Sequence, residues 1–311
     1  MIHFQPARQP LHLMKKLLQI SLTLLICCTL SNAFGAAQAR DGVRVAVLDF
    51  GDVETGARVS AKLSAALSPA SQLSVEDRDE ARAAALGVGY RGSVNMTLAE
   101  ARNLGAALGC DFFITGRADT LRRWPSTGAI YYESFASIFI VSARTGRLIL
   151  WERPHFEAPS QQEAESALLN HLKGRAPAYA VSILDAEVRE RGERESAASH
   201  AAPLIEEAPD TEETATASGL RLPMPYRRLR PQYTAAAAQM EVEAVVDVLV
   251  DVGADGSVSR AEVVRWAGYE LDESALTTVH QLYFRPATRN GEAIPMRVLL
   301  RYNFRKPPRE Q

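Results

Sequence analysis

The chain has 311 residues, of which 47% are apolar and 23% charged, the balance of a globular protein with room for two ordinary domains and not of a disordered one. Its net charge of −2 argues against bulk nucleic-acid binding, which leaves a basic excess.

The segment "MKKLLQISLTLLICCTLSNAFGAAQA" (14–39) carries two lysines, an apolar run from Leu17 to Leu30, and Ala37-Gln38-Ala39 before Arg40. That is the three-part plan of a secretory signal, and the run falls short of the roughly 20 residues of a membrane span. Residues 1–39 are therefore expected to be a cleaved signal peptide. Contact with a membrane is expected only if this segment stays uncleaved. Neither Cys27 nor Cys28 follows the small residue of a lipoprotein signal. Cleavage leaves Cys110 alone, with no intrachain disulfide. Phe112, Phe113 and Ile114 just after it read Cys110 as a small buried side chain.

"VRVAVLDF" (43–50) reads as an apolar strand, and "TGARVSAKLSAAL" (55–67) places Val59, Leu63 and Leu67 at helical spacing. Thr97 with Glu100 makes a capping box that starts the next helix, "TLAEARNLGAALG". It feeds a strand, "CDFFITGRADTL" (110–121). "AIYYESFASIFIVSA" and "RLILWERP" form a hairpin around Arg144-Thr145-Gly146, and a helical stretch from about Gln161 to Arg191 completes an α/β domain over 40–192.

Composition then shifts. Residues 193–220 are rich in Ala, Ser, Thr, Pro and acids, with few large apolar groups. Such a segment cannot bury enough surface to offset its ordering entropy, and it reads as a disordered, solvated tether.

Residues 221–311 read as a compact β-β-α-β domain with a three-stranded antiparallel sheet, which makes the whole chain α+β. "MEVEAVVDVLVDV" (240–252) puts Val242, Ala244, Val246, Val248, Val250 and Val252 on one face, Asp255-Gly256 turns, and "VSRAEVVR" (258–265) returns. Asp272 is placed to cap a short helix with Ala275, Leu276, Val279 and Leu282 inward, and His280 near its end on the surface. Asn290-Gly291 marks a hairpin whose first arm Pro286 keeps short. From Met296 the last strand alternates: Val298, Leu300, Tyr302 and Phe304 on one parity, Arg297, Leu299, Arg301, Asn303 and Arg305 on the other.

Chemical motifs are sparse. "GVGYRG" (87–92) matches the dinucleotide pattern G-x-G-x-x-G by letter. It trails the Ala-rich "DEARAAAL", and the next cap comes only at Thr97, so no helix N-terminus follows to meet a pyrophosphate. His155, His171, His200 and His280 are dispersed, and neither a G-x-S-x-G elbow nor a P-loop occurs. No catalytic residue, cofactor site or metal site is assigned, and the chain is expected not to be an enzyme. The arginines of the last strand have two readings: a solvated face whose like charges discourage edge-to-edge aggregation, or the flank of an edge that accepts a partner strand.

The block from 230 to 305 resembles the TonB C-terminal domain family. It carries the first strand, the Asp255-Gly256 turn, the return strand, Leu271-Asp272 with Ala275-Leu276, Phe284-Arg285-Pro286-Ala287, Gly291 and the final strand through Phe304 in the family's order. It departs at Tyr233-Thr234, where the family often has Tyr-Pro, and at Met240-Glu241, where it often has glycine. Ser21 is followed four residues later by Leu25 and not by the histidine of a proton-coupled transducer. The first domain, through "VRVAVLDF", "ALGVGYRGSVNMTLAEARNLGAALGCDFFITGRA" and "IFIVSARTGRLILWER", resembles the CsgG-like periplasmic fold of envelope adaptors and penicillin-binding-protein activators.

These resemblances imply a periplasmic adaptor for transmembrane transport. Its last strand would engage an envelope partner, in the first place a segment of a TonB-dependent outer-membrane receptor, by strand addition through Arg297, Leu299, Arg301, Asn303 and Arg305. A CsgG-like assembly scaffold that homo-oligomerises, or a transducer with an uncleaved signal segment, are the alternatives.

Overall fold

The computed structural model describes residues 42–199, 205–209, 215 and 219–306; the expected signal peptide lies outside them. Strand β1 (Val43–Val47) is the parallel neighbour of both β2 (Leu73–Val75) and β3 (Phe112–Arg123). Its last three residues are buried, as expected of a strand covered on both faces. Antiparallel pairing then adds β4 (Tyr131–Ser142) beside β3, and β5 (Leu148–Glu152) and β6 (His155–Ala158) both beside β4. The sheet order is β2-β1-β3-β4-β5.

Helices cover both faces. On one lie α1 (Glu54–Leu67) and α4 (Gln161–Ser199), whose Val59, Leu63, Leu168, Leu172 and Tyr179 pack with Val45, Val47 and Ile114. On the other lie α2 (Arg78–Gly87) and α3 (Leu98–Leu108), whose Ala81, Ala85 and Leu104 pack with Ala46, Phe113 and Val141. The Thr97–Glu100 capping box is present at the start of α3. Helix α4 runs to Ser199, past the expected end near Arg191 and into the segment read as tether. Cys110 is buried, and burial pushes its thiol up to about 12.

In the second half, α5 (Ala235–Gln239) precedes β10 (Ala244–Val252), and β11 (Val258–Arg265) returns antiparallel to it. Asp255 Oδ1 accepts from the Ser257 amide at 3.0 Å and the turn closes at Gly256, φ 83°. Helix α6 (Leu271–Val279) follows. Its N-cap is Glu270, not Asp272; Asp272 sits in the first turn and accepts from the Ala267 and Gly268 amides, both at 2.8 Å. Short strands β12 (Phe284–Arg285), β13 (Ala287–Arg289) and β14 (Glu292–Ile294) lead on, with Asn290-Gly291 at φ 51° and 91° turning the hairpin. They pair with β9 (Met224–Pro225) and β8 (Leu220–Arg221).

The last strand, β15 (Met296–Phe304), pairs along its whole length with β10. The sheet of this half is four-stranded, not three-stranded: β7 (Glu206–Glu207), from the segment read as tether, pairs parallel with Met296 and Arg297.

The two halves share a core. Phe139 of β4 stacks on Trp266 with ring centroids 5.7 Å apart, and Trp151 of β5 meets Tyr269 at 4.9 Å. The Asn95 side-chain amide donates to the Val245 and Trp266 carbonyls at 2.8 and 2.7 Å and accepts from the Val245 amide at 3.1 Å. One glycine allows this contact: a Cβ on Gly268, at φ 71°, would lie 2.6 Å from the Phe139 ring. Within the first half, a Cβ on Gly146, at φ 75°, would lie 2.2 Å from the Leu98 carbonyl oxygen.

Candidate functional site

Because β10 covers one edge of β15, the question is what the other edge meets. Its outward main chain bonds β7 only at the start, over Met296 and Arg297; among the described residues no strand lies against 298–304. Val298, Leu300, Tyr302 and Phe304 face the shared core. On the opposite face, Leu299 is 51% exposed, and Asn303 and Arg305 are also exposed, Arg305 lying just past the strand's end.

Two of the sequence-assigned residues are not free. Register sets Asp251 opposite Arg297 and Asp247 opposite Arg301. Arg297 bonds Asp251 through Nε and Nη2 at 2.5 and 2.9 Å, and Arg301 bonds Asp247 in the same bidentate way at 2.7 and 2.9 Å. These bonds hold both guanidinium pKa values above their ordinary value. Arg265 approaches Asp247 from the other side at 3.4 Å. The polar face of the sheet is thus a cross-strand ladder of paired charges, not a run of like charges in water. Sequence reasoning missed Asp247 and Asp251, although their spacing of four matches that of Arg297 and Arg301.

Among the described residues, this edge thus leaves the main chain from 298 to 304 without a neighbouring strand, beside the exposed side chains of Leu299 and Asn303. That is the geometry of strand addition: backbone hydrogen bonds for affinity, alternate side chains for selectivity.

A separate cavity of about 500 Å³ lies at the C-terminal end of β1, where the chain order reverses between β2 and β3, the place where open α/β sheets hold ligands. Asp49, Arg82, Tyr90, Arg91, Arg117 and Asp119 are among its lining residues. The "GVGYRG" loop contributes to it but leaves the C-terminal end of α2, and the next helix begins only at Leu98. The Tyr90 hydroxyl meets Thr115 Oγ1 at 2.6 Å, and burial pushes the phenol up to about 12, so it is a neutral hydrogen-bonding group. Among the described residues no cluster of three or more His, Cys, Asp or Glu has the arrangement of a metal site, and no helix is long and apolar enough to cross a membrane.

Residues 230–305 match the family described as Gram-negative bacterial TonB protein C-terminal. The match spans the whole β10-β11-α6-β15 unit, about a quarter of the chain. Among solved structures, the chain is similar to the Pseudomonas aeruginosa TonB CTD at 20% identity, covering 30% of this chain and 92% of that one, with a TM-score of 0.25. It is also similar to lipoprotein GNA1162 from Neisseria meningitidis, at 15% identity over 45% of this chain and 98% of that one, with a TM-score of 0.33. The hypothetical protein CT253 from Chlamydia trachomatis is 11% identical over 44% of this chain and 99% of that one, with a TM-score of 0.31. No curated protein matches the chain. The family match supports a TonB-like role in protein interaction at the cell envelope for the second half.

Proposed function

We propose that the protein is a periplasmic, non-enzymatic adaptor whose β15 edge docks an extended segment of an envelope partner, in the first place a TonB-dependent outer-membrane receptor. The observation that carries this reading is the outer edge at 298–304, unpaired among the described residues, beside the exposed Leu299, in the unit that matches the TonB family. The docking residues are Leu299 and Asn303 with the backbone between them. Arg297 and Arg301 stiffen the strand from behind through Asp251 and Asp247. The first half, as a CsgG-like layer, is a platform that shares its core with the docking unit.

In-cell photo-crosslinking tests this reading, with the probe amino acid at Leu299 or Asn303 and a control at Val188, which is 68% exposed on α4. The expected result is one envelope protein trapped from both β15 positions and not from Val188, identified as an outer-membrane receptor by mass spectrometry. Trapping only a second copy of this chain would make the edge an oligomer contact. Trapping nothing would reduce it to plain surface.

A further inference from the structure

The start of the edge is already occupied. Glu206 and Glu207 run parallel to Met296 and Arg297, and the Ala208 amide donates to the Arg297 carbonyl at 2.8 Å. Arg289 Nη2 holds Glu206 Oε1 at 2.5 Å, and Arg297 Nη1 lies 4.0 Å from Glu207 Oε1. Ala208 packs against a small cluster of Ala215, Leu220, Ala287 and Met296. Among the described residues few bonds hold this strand of two residues, and its carboxylates are exposed: the Glu206 and Glu207 side chains are at 45% and 75% exposure. Such ion pairs are individually weak and screened by salt. The contact thus joins two paired main-chain residues, two exposed ion pairs and one small apolar side chain.

We infer that the segment 205–208 is an internal competitor for the docking edge, which a partner strand must displace to reach the first positions of β15. The inference rests on the docking reading above. Each outward-facing main-chain group of β15 bonds one strand at a time, so the two occupants exclude each other over Met296 and Arg297. The competitor is covalently attached, and its effective concentration is that of an intramolecular event, which a free partner must overcome. Arg289 and Arg297 also define which segment replaces it best: an extended one that brings carboxylates to the places of Glu206 and Glu207. Without the competitor, the apparent Kd falls in proportion to the freed fraction of the edge.

The test uses the full chain, the variant E206K/E207K, which reverses both charges, and Ala208→Pro, which removes the amide that bonds Arg297. The probe is a labelled peptide of the chain's own residues 203–209. We expect the Ala208→Pro chain to bind it roughly tenfold more tightly than the unaltered chain, with affinity falling as salt rises. Main-chain hydrogen exchange over 296–298 rises in both variants. Equal peptide affinity in the Ala208→Pro and unaltered chains, with unchanged exchange, overturns the competitor. The Leu299 crosslink read in the same chains separates this inference from the reading beneath it. A partner trapped equally from all three chains overturns the competitor and keeps the docking edge. A partner trapped from none overturns the docking edge, and the competitor with it.

Discussion

The indole Nε1 of Trp266 donates to the carbonyl oxygen of Gly146 at 3.0 Å, joining the end of β11 to the turn between β4 and β5. Trp266 is 1% exposed and stacks on Phe139, so it is the centre of the contact between the halves. Trp266→Ala is expected to lower stability by about 3–5 kcal/mol, as for other buried aromatic truncations. Trp266→Phe, which keeps most of the ring contact and loses the bond, should cost about 1–3 kcal/mol. Urea unfolding followed by circular dichroism checks both values; two separate transitions in Trp266→Ala would show that the halves fold independently once this contact is gone.

Asn95 serves three main-chain groups at once, the amide and carbonyl of Val245 and the carbonyl of Trp266. Asn95→Ala strands all three at a partly buried site, and a loss of about 1–3 kcal/mol is expected. Asn95→Asp should do worse than Ala. It keeps the acceptor for Val245 but sets a carboxylate against two carbonyl oxygens that need donors. The ranking of thermal midpoints decides this point: Asp above Ala would mean that water replaces the lost donors.

Burial pushes the Asp272 carboxyl up from 3.8 to about 7, against the Ala267 and Gly268 amides, which pull it down. The folded state thus holds this proton more tightly than the unfolded chain does. The stabilisation is complete below the unfolded value of 3.8 and is lost as pH rises through about 7. Between these limits, thermal midpoints should fall with rising pH, and Asp272→Asn should flatten that slope while lowering stability overall, because an amide oxygen accepts without titrating and its NH2 group opposes one of the two backbone donors. Parallel slopes for the two proteins would remove Asp272 as the cause.

The charge ladder on β10 and β15 predicts an asymmetry. Asp247 is buried at 3% exposure between Arg301 and Arg265, whereas the Arg301 side chain is 57% exposed. Removing Asp247 leaves two guanidinium groups facing each other; removing Arg301 leaves Asp247 still paired with Arg265. Asp247→Ala is therefore expected to lower the denaturation midpoint more than Arg301→Ala, and a double-mutant cycle should return a favourable coupling that shrinks in high salt. Equal effects of the two single changes would mean that the ladder is not a network.

Elements whose signal is local were legible beforehand. The apolar alternation of β10 and β15, the capping box at Thr97, the Asp255-Gly256 and Asn290-Gly291 turns and the helical spacing of Val59, Leu63 and Leu67 depend on residues within a few positions of one another. So does the burial of Cys110 next to Phe112 and Phe113. Strands β2, β6 and β7 were missed because two to four residues are too few to display a period. Asp272 was misread as a cap because its true donors, Ala267 and Gly268, lie before the helix in a loop with no sequence signature.

By itself, then, the sequence determined those strands, helices and turns whose signal lies between near neighbours, and through the order of its motifs the likeness of residues 230–305 to the TonB C-terminal domain. Only the tertiary structure decided that Arg297 and Arg301 are held by Asp251 and Asp247, that Asn95 and Trp266 join the halves, and that Glu206 and Glu207 lie on the edge the last strand presents. The physical reason is range. Periodicity and capping are written between near neighbours, whereas pairings across 46 to 171 positions follow from strand register and packing, which no short stretch of sequence specifies.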